Sequence, residues 1–225
     1  MKIFYDGLDI QTYSKHPYVE GFTTNCTHFQ GNHNYTEFYR KNKDLIQMRS
    51  LSLQTWNHGD LGIAQIDAIH AIDENIFVTI PIVNVHNDIN ERMLLYAVSK
   101  NMRINVTANY TFAHMNIAYE YLNKLTNHAI ISVFAGGISD SGRDPVPYIA
   151  HAKRLFKDMP NVKIMWAGCR ELYTIKRAED LYCDIISVPG DIIDKLHLTD
   201  YNLDKMSVEM INTWHNDAIH DGLSI

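Results

Sequence analysis

Cysteine is scarce. The chain of 225 residues has three, Cys26, Cys169 and Cys183, with no CxxC spacing among them. An odd count without paired spacing argues against a disulfide framework and reads as free thiols in a reducing, cytoplasmic setting. Long apolar runs are also missing. None approaches the length that crosses a bilayer, and Met1-Lys2 leads directly into an apolar strand rather than a secretory leader, so neither a membrane nor a secreted protein is expected. In that setting the Asn-x-Thr triplets at Asn25, Asn34, Asn105 and Asn109 carry no meaning for glycosylation. Basic clusters are absent as well. The net charge is −6 and acidic residues are spread along the chain, which excludes the phosphate-tracking surface of a nucleic-acid binder.

Two further absences concern cofactors. No GxGxxG follows the first strand, so the dinucleotide fingerprint is lacking. There are twelve histidines, but no HxH or HxxxH pair falls at a strand end. His28, His58, His86 and His114 are scattered through loops and helix starts, so no metal and no cofactor is expected.

What is present is a 46% hydrophobic chain, sufficient for one large core. Short β-rich runs recur, each followed by a helical pattern. Strands are expected at Lys2 to Tyr5, Gly21 to Thr24, Ser50 to Thr55, Ile76 to Pro81, Arg103 to Thr107, Ala129 to Phe134, Val162 to Trp166 and Asp184 to Val188. Between them, apolar stripes predict helices over Asp9 to His16, His33 to Ile46, Asp60 to Asp73, Asp88 to Lys100, Tyr110 to Leu125, Pro145 to before Pro160, and Arg170 to Leu181. Ala135 to Gly142 reads as a turn, and short helices are expected over Asp191 to His197 and Leu203 to Ala218. Eight strands alternating with helices, with no linker, predict a (β/α)8 TIM barrel as one domain over 1–225, ending in a C-terminal helix over 203–225. A doubly wound open sheet is the alternative. Ser50 and Ser52 alternate with Leu51 and Leu53, which suits a crowded barrel interior.

In such a barrel the active site lies at the C-terminal ends of the strands. Those ends hold Asp6, Thr24, Asn25, Gln54, Trp56, Thr79, Asn105, Thr107, Phe134, Trp166, Cys169 and Ser187. The ring is mostly neutral and hydrogen-bonding, with one clear carboxylate, and suits a small polyol. Thr and Asn at strand ends also serve as helix caps, and that reading stays open for each of them singly. Asp6 ends an apolar strand, where an unpartnered carboxylate is costly. Arg143 and Arg170 follow strands six and seven, on the side where they could meet an anion, or could be ordinary surface arginines near helix starts.

In order along the chain stand Asp6, Thr23-Thr24-Asn25, Gln54, Ile80-Pro81, Thr107, Ser132-Val133-Phe134-Ala135-Gly136, Trp166-Ala167, Arg170-Glu171 and Val188-Pro189. This ordered set resembles the transaldolase and fructose-6-phosphate aldolase family in its short single-barrel form. The resemblance implies a class I aldolase of sugar-phosphate metabolism. In that family a strand-four lysine attacks a ketose carbonyl, a strand-one aspartate moves protons, and a dihydroxyacetone unit is split off or transferred. It also implies a homo-oligomer, with the C-terminal helix packing on a neighbouring copy.

The sequence departs from that pattern at the reactive positions. Thr79 stands where the family has its Schiff-base lysine, and a hydroxyl cannot form an imine. Gly137 replaces the arginine that holds the substrate phosphate, Gly168 falls near a phosphate-binding serine, and Cys26 replaces a proline. The proton-relay positions hold Gln54 and Phe134. The resemblance thus casts Asp6, Thr79 and Gln54 at the catalytic positions, and Asn25, Thr24, Thr107, Phe134, Trp166, Arg143 and Arg170 around a sugar or sugar phosphate. The alternative is a non-catalytic barrel that binds a sugar or serves as a partner subunit.

Overall fold

The computed structural model describes residues 1–29, 31, 34–46 and 48–224. Along the chain run β1 (Lys2–Asp6), α1 (Ile10–Tyr13), β2 (Val19–Thr23), α2 (Tyr35–Ile46), β3 (Ser50–Gln54), α3 (Gly59–Ile72), β4 (Phe77–Pro81) and α4 (Glu91–Ser99). They are followed by β5 (Ile104–Asn109), α5 (Phe112–Leu122), β6 (Ala129–Val133), α6 (Ala135–Asp140), α7 (Val146–Leu155), β7 (Val162–Trp166), α8 (Leu172–Asp180), β8 (Ile185–Pro189) and α9 (Gly190–Ile193). The strands pair in chain order, all parallel, and β8 returns to β1, so the sheet is a closed (β/α)8 barrel. Closure rules out the open doubly wound sheet. Asp6 has Thr23 of β2 on one side and Pro189 of β8 on the other.

Side chains on a strand alternate between the barrel interior and the helix layer. Phe4, Phe77, Ile130, Met165 and Ile185 form a buried cluster. Beside it Asn105, Ser52 and Ser132 are buried and satisfy one another. Ser132 Oγ donates to Asn105 Oδ1 at 2.7 Å, and Asn105 Nδ2 donates to Ser52 Oγ at 3.4 Å. Small polar side chains on β3 therefore do face a crowded interior. The outward positions, among them Leu51, Leu53, Val78, Ile80, Ile104, Val106, Ile131 and Ile186, are fully buried under the helices.

Several expected boundaries shift for local reasons. Residues 135–142, read as a turn, begin with the six-residue helix α6. Two adjacent glycines discourage a helix on propensity alone. Here they let the helix press against the loop after β7: Gly136 N donates to Ala167 O at 3.0 Å. A Cβ on Gly136 would lie 1.8 Å from Gly168 O, so a side chain would push the two segments apart. β5 runs past Thr107 to Asn109 through a bulge at Ala108, whose φ is 60°. The buried Asn109 amide holds the bulge by donating to Val106 O at 2.8 Å and Ser132 O at 3.2 Å.

α4 begins at Glu91 rather than Asp88 because residues 83–89 form a tight bridged turn. Asn84 Oδ1 accepts from His86 N and Asp88 N there. α1 is a single turn, with Asp9 capping Thr12 N at 3.0 Å. His33, the expected start of the second helix, lies outside the described residues. The three cysteines are free thiols. Among the described residues no helix is long and apolar enough to cross a membrane.

The chain divides into two compact units, residues 1–193 and 194–225. The second holds a short 3-10 turn, Leu196–Leu198, in place of the end of the expected Asp191 to His197 helix. It then forms α10 (Leu203–His220), capped by Asn202, whose Oδ1 accepts from Lys205 N at 3.0 Å. Leu203, Met206, Met210, Ile211 and Trp214 on α10 are all exposed.

Candidate functional site

A cavity of about 230 Å3 opens among the C-terminal ends of the barrel strands. Its position follows from the strand period. Asp6 stands two residues after Phe4, Thr79 after Phe77, Ser132 after Ile130 and Ser187 after Ile185, so each points into the same interior as the core residue before it. Larger hollows lie elsewhere. One of about 460 Å3 is bordered by Tyr35, Trp56 and Ile69, and one of about 980 Å3 lies at the N-terminal mouth near Lys2 and Arg103. Neither has the ring of convergent hydroxyl and amide groups found at the C-terminal end.

Of the residues singled out in the sequence, the cavity brings together Asp6, Thr24, Asn25, Gln54, Thr79, Asn105, Thr107, Phe134, Arg170 and Ser187. Trp56, Trp166, Cys169 and Arg143 are not in its lining. Trp166 follows the inward Met165, so its ring turns to the helix layer. It is fully buried there, with Arg177 Cζ 5.9 Å from the ring centroid. Arg143 is exposed just beyond α6 and spends Nη1 on Ser141 Oγ at 3.0 Å.

Asp6 Oδ1 faces His28 Nδ1 at 3.6 Å. Burial raises the Asp6 carboxyl above the usual carboxylate range, and His28, when protonated, pulls it back. The other ring nitrogen of His28 lies 3.5 Å from Asn25 Nδ2, while Asn25 Oδ1 accepts from Thr27 N at 3.0 Å. Asn25 thus fixes the loop that carries His28. The sequence reading reaches His28 only as one of several scattered histidines, because nothing in its spacing signals the turn that folds it back over β1.

Thr79 is 4% exposed. Its carbonyl accepts from Thr55 N at 2.9 Å and Thr55 Oγ1 at 3.1 Å, but its own hydroxyl finds no partner among the described residues. A buried hydroxyl without a partner is costly, and here it borders the cavity. Thr24 Oγ1, by contrast, is spent on Ser52 O at 3.2 Å. No lysine is among the cavity residues.

The opposite wall is built from three residues that strand-end reading did not select. Tyr110 follows the β5 bulge and packs beside Phe134, ring centroids 5.1 Å apart. A Cβ on Gly137 would lie 2.7 Å from the Tyr110 ring, so the space a side chain at 137 would enter is already filled. Gly168, at φ 78°, donates its N–H to Ser187 Oγ at 3.4 Å. Arg170 closes this end. Its Nη2 and Nε donate to Asp140 Oδ2 at 2.6 and 3.0 Å, so two sides of the guanidinium are engaged by one carboxylate. Among the described residues no group of three or more His, Cys, Asp or Glu could hold a metal ion.

Comparisons with known proteins agree with this geometry. The family model described as Transaldolase/Fructose-6-phosphate aldolase matches residues 62–221. No curated protein sequence matches the chain. Among solved structures, a designed cube-shaped porous protein cage built by fusing symmetric oligomeric domains is 11% identical. It aligns over 99% of this chain and 80% of its own, with a TM-score of 0.59. The 3-hexulose-6-phosphate synthase of Salmonella typhimurium is 12% identical over 84% of this chain and 89% of its own, TM-score 0.57. A structure described as native KDPGal is 14% identical over 84% and 82%, TM-score 0.53. At these identities the structures share the barrel and carry no further information. The family match spans well over half the chain, including the cavity residues from Thr79 to Ser187, and the chain belongs to the transaldolase/fructose-6-phosphate aldolase family.

Proposed function

We propose that this protein is a carbohydrate-binding member of its family that holds a small polyol or ketose without forming a Schiff base. The observation that carries this reading is Thr79. Its buried hydroxyl, without a partner among the described residues, is available to hydrogen-bond a ligand oxygen but not to form an imine, in keeping with the resemblance that sets Thr79 at the position of the family's lysine. Asn25, Gln54, Thr107 and Ser187 supply the neutral donors and acceptors a polyol needs, and Phe134 supplies an apolar face. Asp6 remains as the group that could accept or return a proton, under the influence of His28.

The test is borohydride trapping with dihydroxyacetone and with fructose 6-phosphate, read by intact-protein mass. The expected result is no adduct on this protein and a clean adduct on a lysine-bearing family member run beside it. An adduct here would overturn the reading, because another lysine would then reach the carbonyl.

The chain as a whole, 1–225, is read as one functional domain that self-associates through α10. The exposed apolar side chains of that helix support this. Light scattering of the full chain and of Met210→Glu tests it: a fall in mass for the variant supports self-association, and equal masses oppose it. Three free thiols are in keeping with a reducing compartment.

A further inference from the structure

The strand period that opens a cavity at one end of the barrel also sets the side chains at the other. Two residues before the interior positions Phe4, Asn105, Ile130 and Met165 stand Lys2, Arg103, His128 and Lys163, so these four face inward beneath the apolar layer. All four line the hollow of about 980 Å3 at the N-terminal mouth. A chain of net charge −6 thus gathers three fixed cations and a histidine in one concave place. Glu20, Glu179 and Asp184 line the same hollow, but each has a cation of its own. Glu20 faces Lys2 at 3.7 Å, while Lys153 and Lys176 reach Asp184 and Glu179 at 3.1 and 3.8 Å from outside the lining. Arg103 and Lys163 are left over, and among the described residues neither forms an ion pair. Arg103 lies 5.6 Å from the Phe77 ring centroid and donates Nη1 to Asn75 O at 3.3 Å, which steadies the guanidinium at the mouth. Since β5, β6 and β7 are neighbours, Arg103, His128 and Lys163 follow one another round the rim. Strand spacing puts the Arg103 and Lys163 backbones roughly 10 Å apart.

The structure assigns to this mouth an anion site for a di- or triphosphate group, held between the Arg103 guanidinium and the Lys163 ammonium, with the His128 ring as a further donor. A chain of phosphates spreads its charge over several ångströms and can meet both cations at once. Arginine offers the planar fork that phosphate oxygens match, and lysine a mobile point charge. The concave shape admits a small anion rather than the face of a folded partner. A free polyphosphate and a nucleoside triphosphate share this chemistry. The site lies at the opposite end of the barrel from the polyol cavity and does not depend on that reading.

The experiment is calorimetric titration of the full chain, at low salt and without divalent cations, with tripolyphosphate, ATP and inorganic phosphate. Tripolyphosphate is expected to bind at least about tenfold more tightly than inorganic phosphate, because it engages more than one cation. Lys163→Gln alters an exposed side chain that the fold does not need, and should weaken tripolyphosphate at least about threefold. Adding Arg103→Gln should weaken it further. Arg92→Gln removes one positive charge at the start of α4, by the other mouth, and should leave the affinity unchanged. ATP bound with the same dependence on Lys163 supports a nucleotide as the source of the phosphates, and tripolyphosphate bound alone supports a free polyphosphate. Failure of tripolyphosphate to bind, or an affinity no greater than that of inorganic phosphate, would overturn the inference. So would an unchanged affinity in Lys163→Gln, or an equal loss in Arg92→Gln. Equally tight binding of a hexaglutamate peptide would overturn it too, by making the mouth a site for acidic peptides.

Discussion

The two halves of the barrel interior are made by the same strands two residues apart, and they behave in opposite ways. In the lower half Phe4, Phe77, Ile130 and Ile185 bury their side chains against one another. In the upper half their successors, Asp6, Thr79, Ser132 and Ser187, are polar and surround a cavity. The lower layer removes apolar surface from water and holds the fold. The upper layer leaves polar groups incompletely satisfied: the Thr79 hydroxyl has no partner among the described residues, and His28 stands 3.6 Å from Asp6, beyond hydrogen-bonding distance. Stability and recognition are thus separated along the barrel axis by a single strand period.

Mutations can break this division, and the largest effect should fall in the lower layer. Phe4→Ala removes a buried ring from the cluster with Phe77, Ile130, Met165 and Ile185, and is expected to lower unfolding stability by about 3–5 kcal/mol in a denaturant titration. A loss below about 1 kcal/mol would mean that the lower layer is not the structural half. Next comes the polar trio between the layers. Asn105→Ala strips Ser132 Oγ and Ser52 Oγ of their shared partner and should cost about 1–3 kcal/mol.

Thr79→Val sharpens the contrast from the other side. It replaces an unpartnered hydroxyl by a methyl of similar size, so stability should change by less than about 1 kcal/mol or even rise. Dihydroxyacetone binding should weaken in the same variant; unaltered binding would remove Thr79 from the site. Thr79→Lys is expected to give little turnover of fructose 6-phosphate, because the remaining cavity cation is already engaged by Asp140. Robust turnover in an aldol-cleavage assay would show that the cavity still holds a sugar phosphate.

The smallest effect concerns pH. Burial raises the Asp6 carboxyl in the folded chain, so the native state holds its proton more firmly than the unfolded one. Stability therefore falls as pH rises from the ordinary carboxylate value to the elevated folded one. Asp6→Asn removes that loss, so it should be the more stable form at neutral pH, with the advantage shrinking on acidification. A stability difference independent of pH would show that Asp6 is not perturbed by burial.

How far the residues themselves announce this molecule varies from place to place. Apolar runs such as Phe77–Pro81 and Val162–Trp166 have strand composition and strand length, and the helical stripes between them alternate regularly, so the barrel was legible. Strand ends gave most of the cavity, because on a parallel barrel they must converge at one mouth. The failures share a cause. Trp166 and Arg143 were placed at the rim by chain position, but Trp166 turns outward by the alternation of β7 and Arg143 is held beyond α6. His28, Tyr110 and Asp140 reach the site or its wall through a turn, a bulge and a short glycine-rich helix, all irregular local geometries that leave no periodic trace.

The sequence by itself determined the barrel and the family. Each of these is written in local composition or in the order of short motifs. Only the tertiary structure decided which charges face each other. The meeting of Asp6 with His28 and of Arg170 with Asp140 joins residues 22 and 30 positions apart in the chain, and depends on how loops fold back over the closed sheet. Charge pairing acts over a few ångströms, and no local pattern encodes a distance across a barrel mouth.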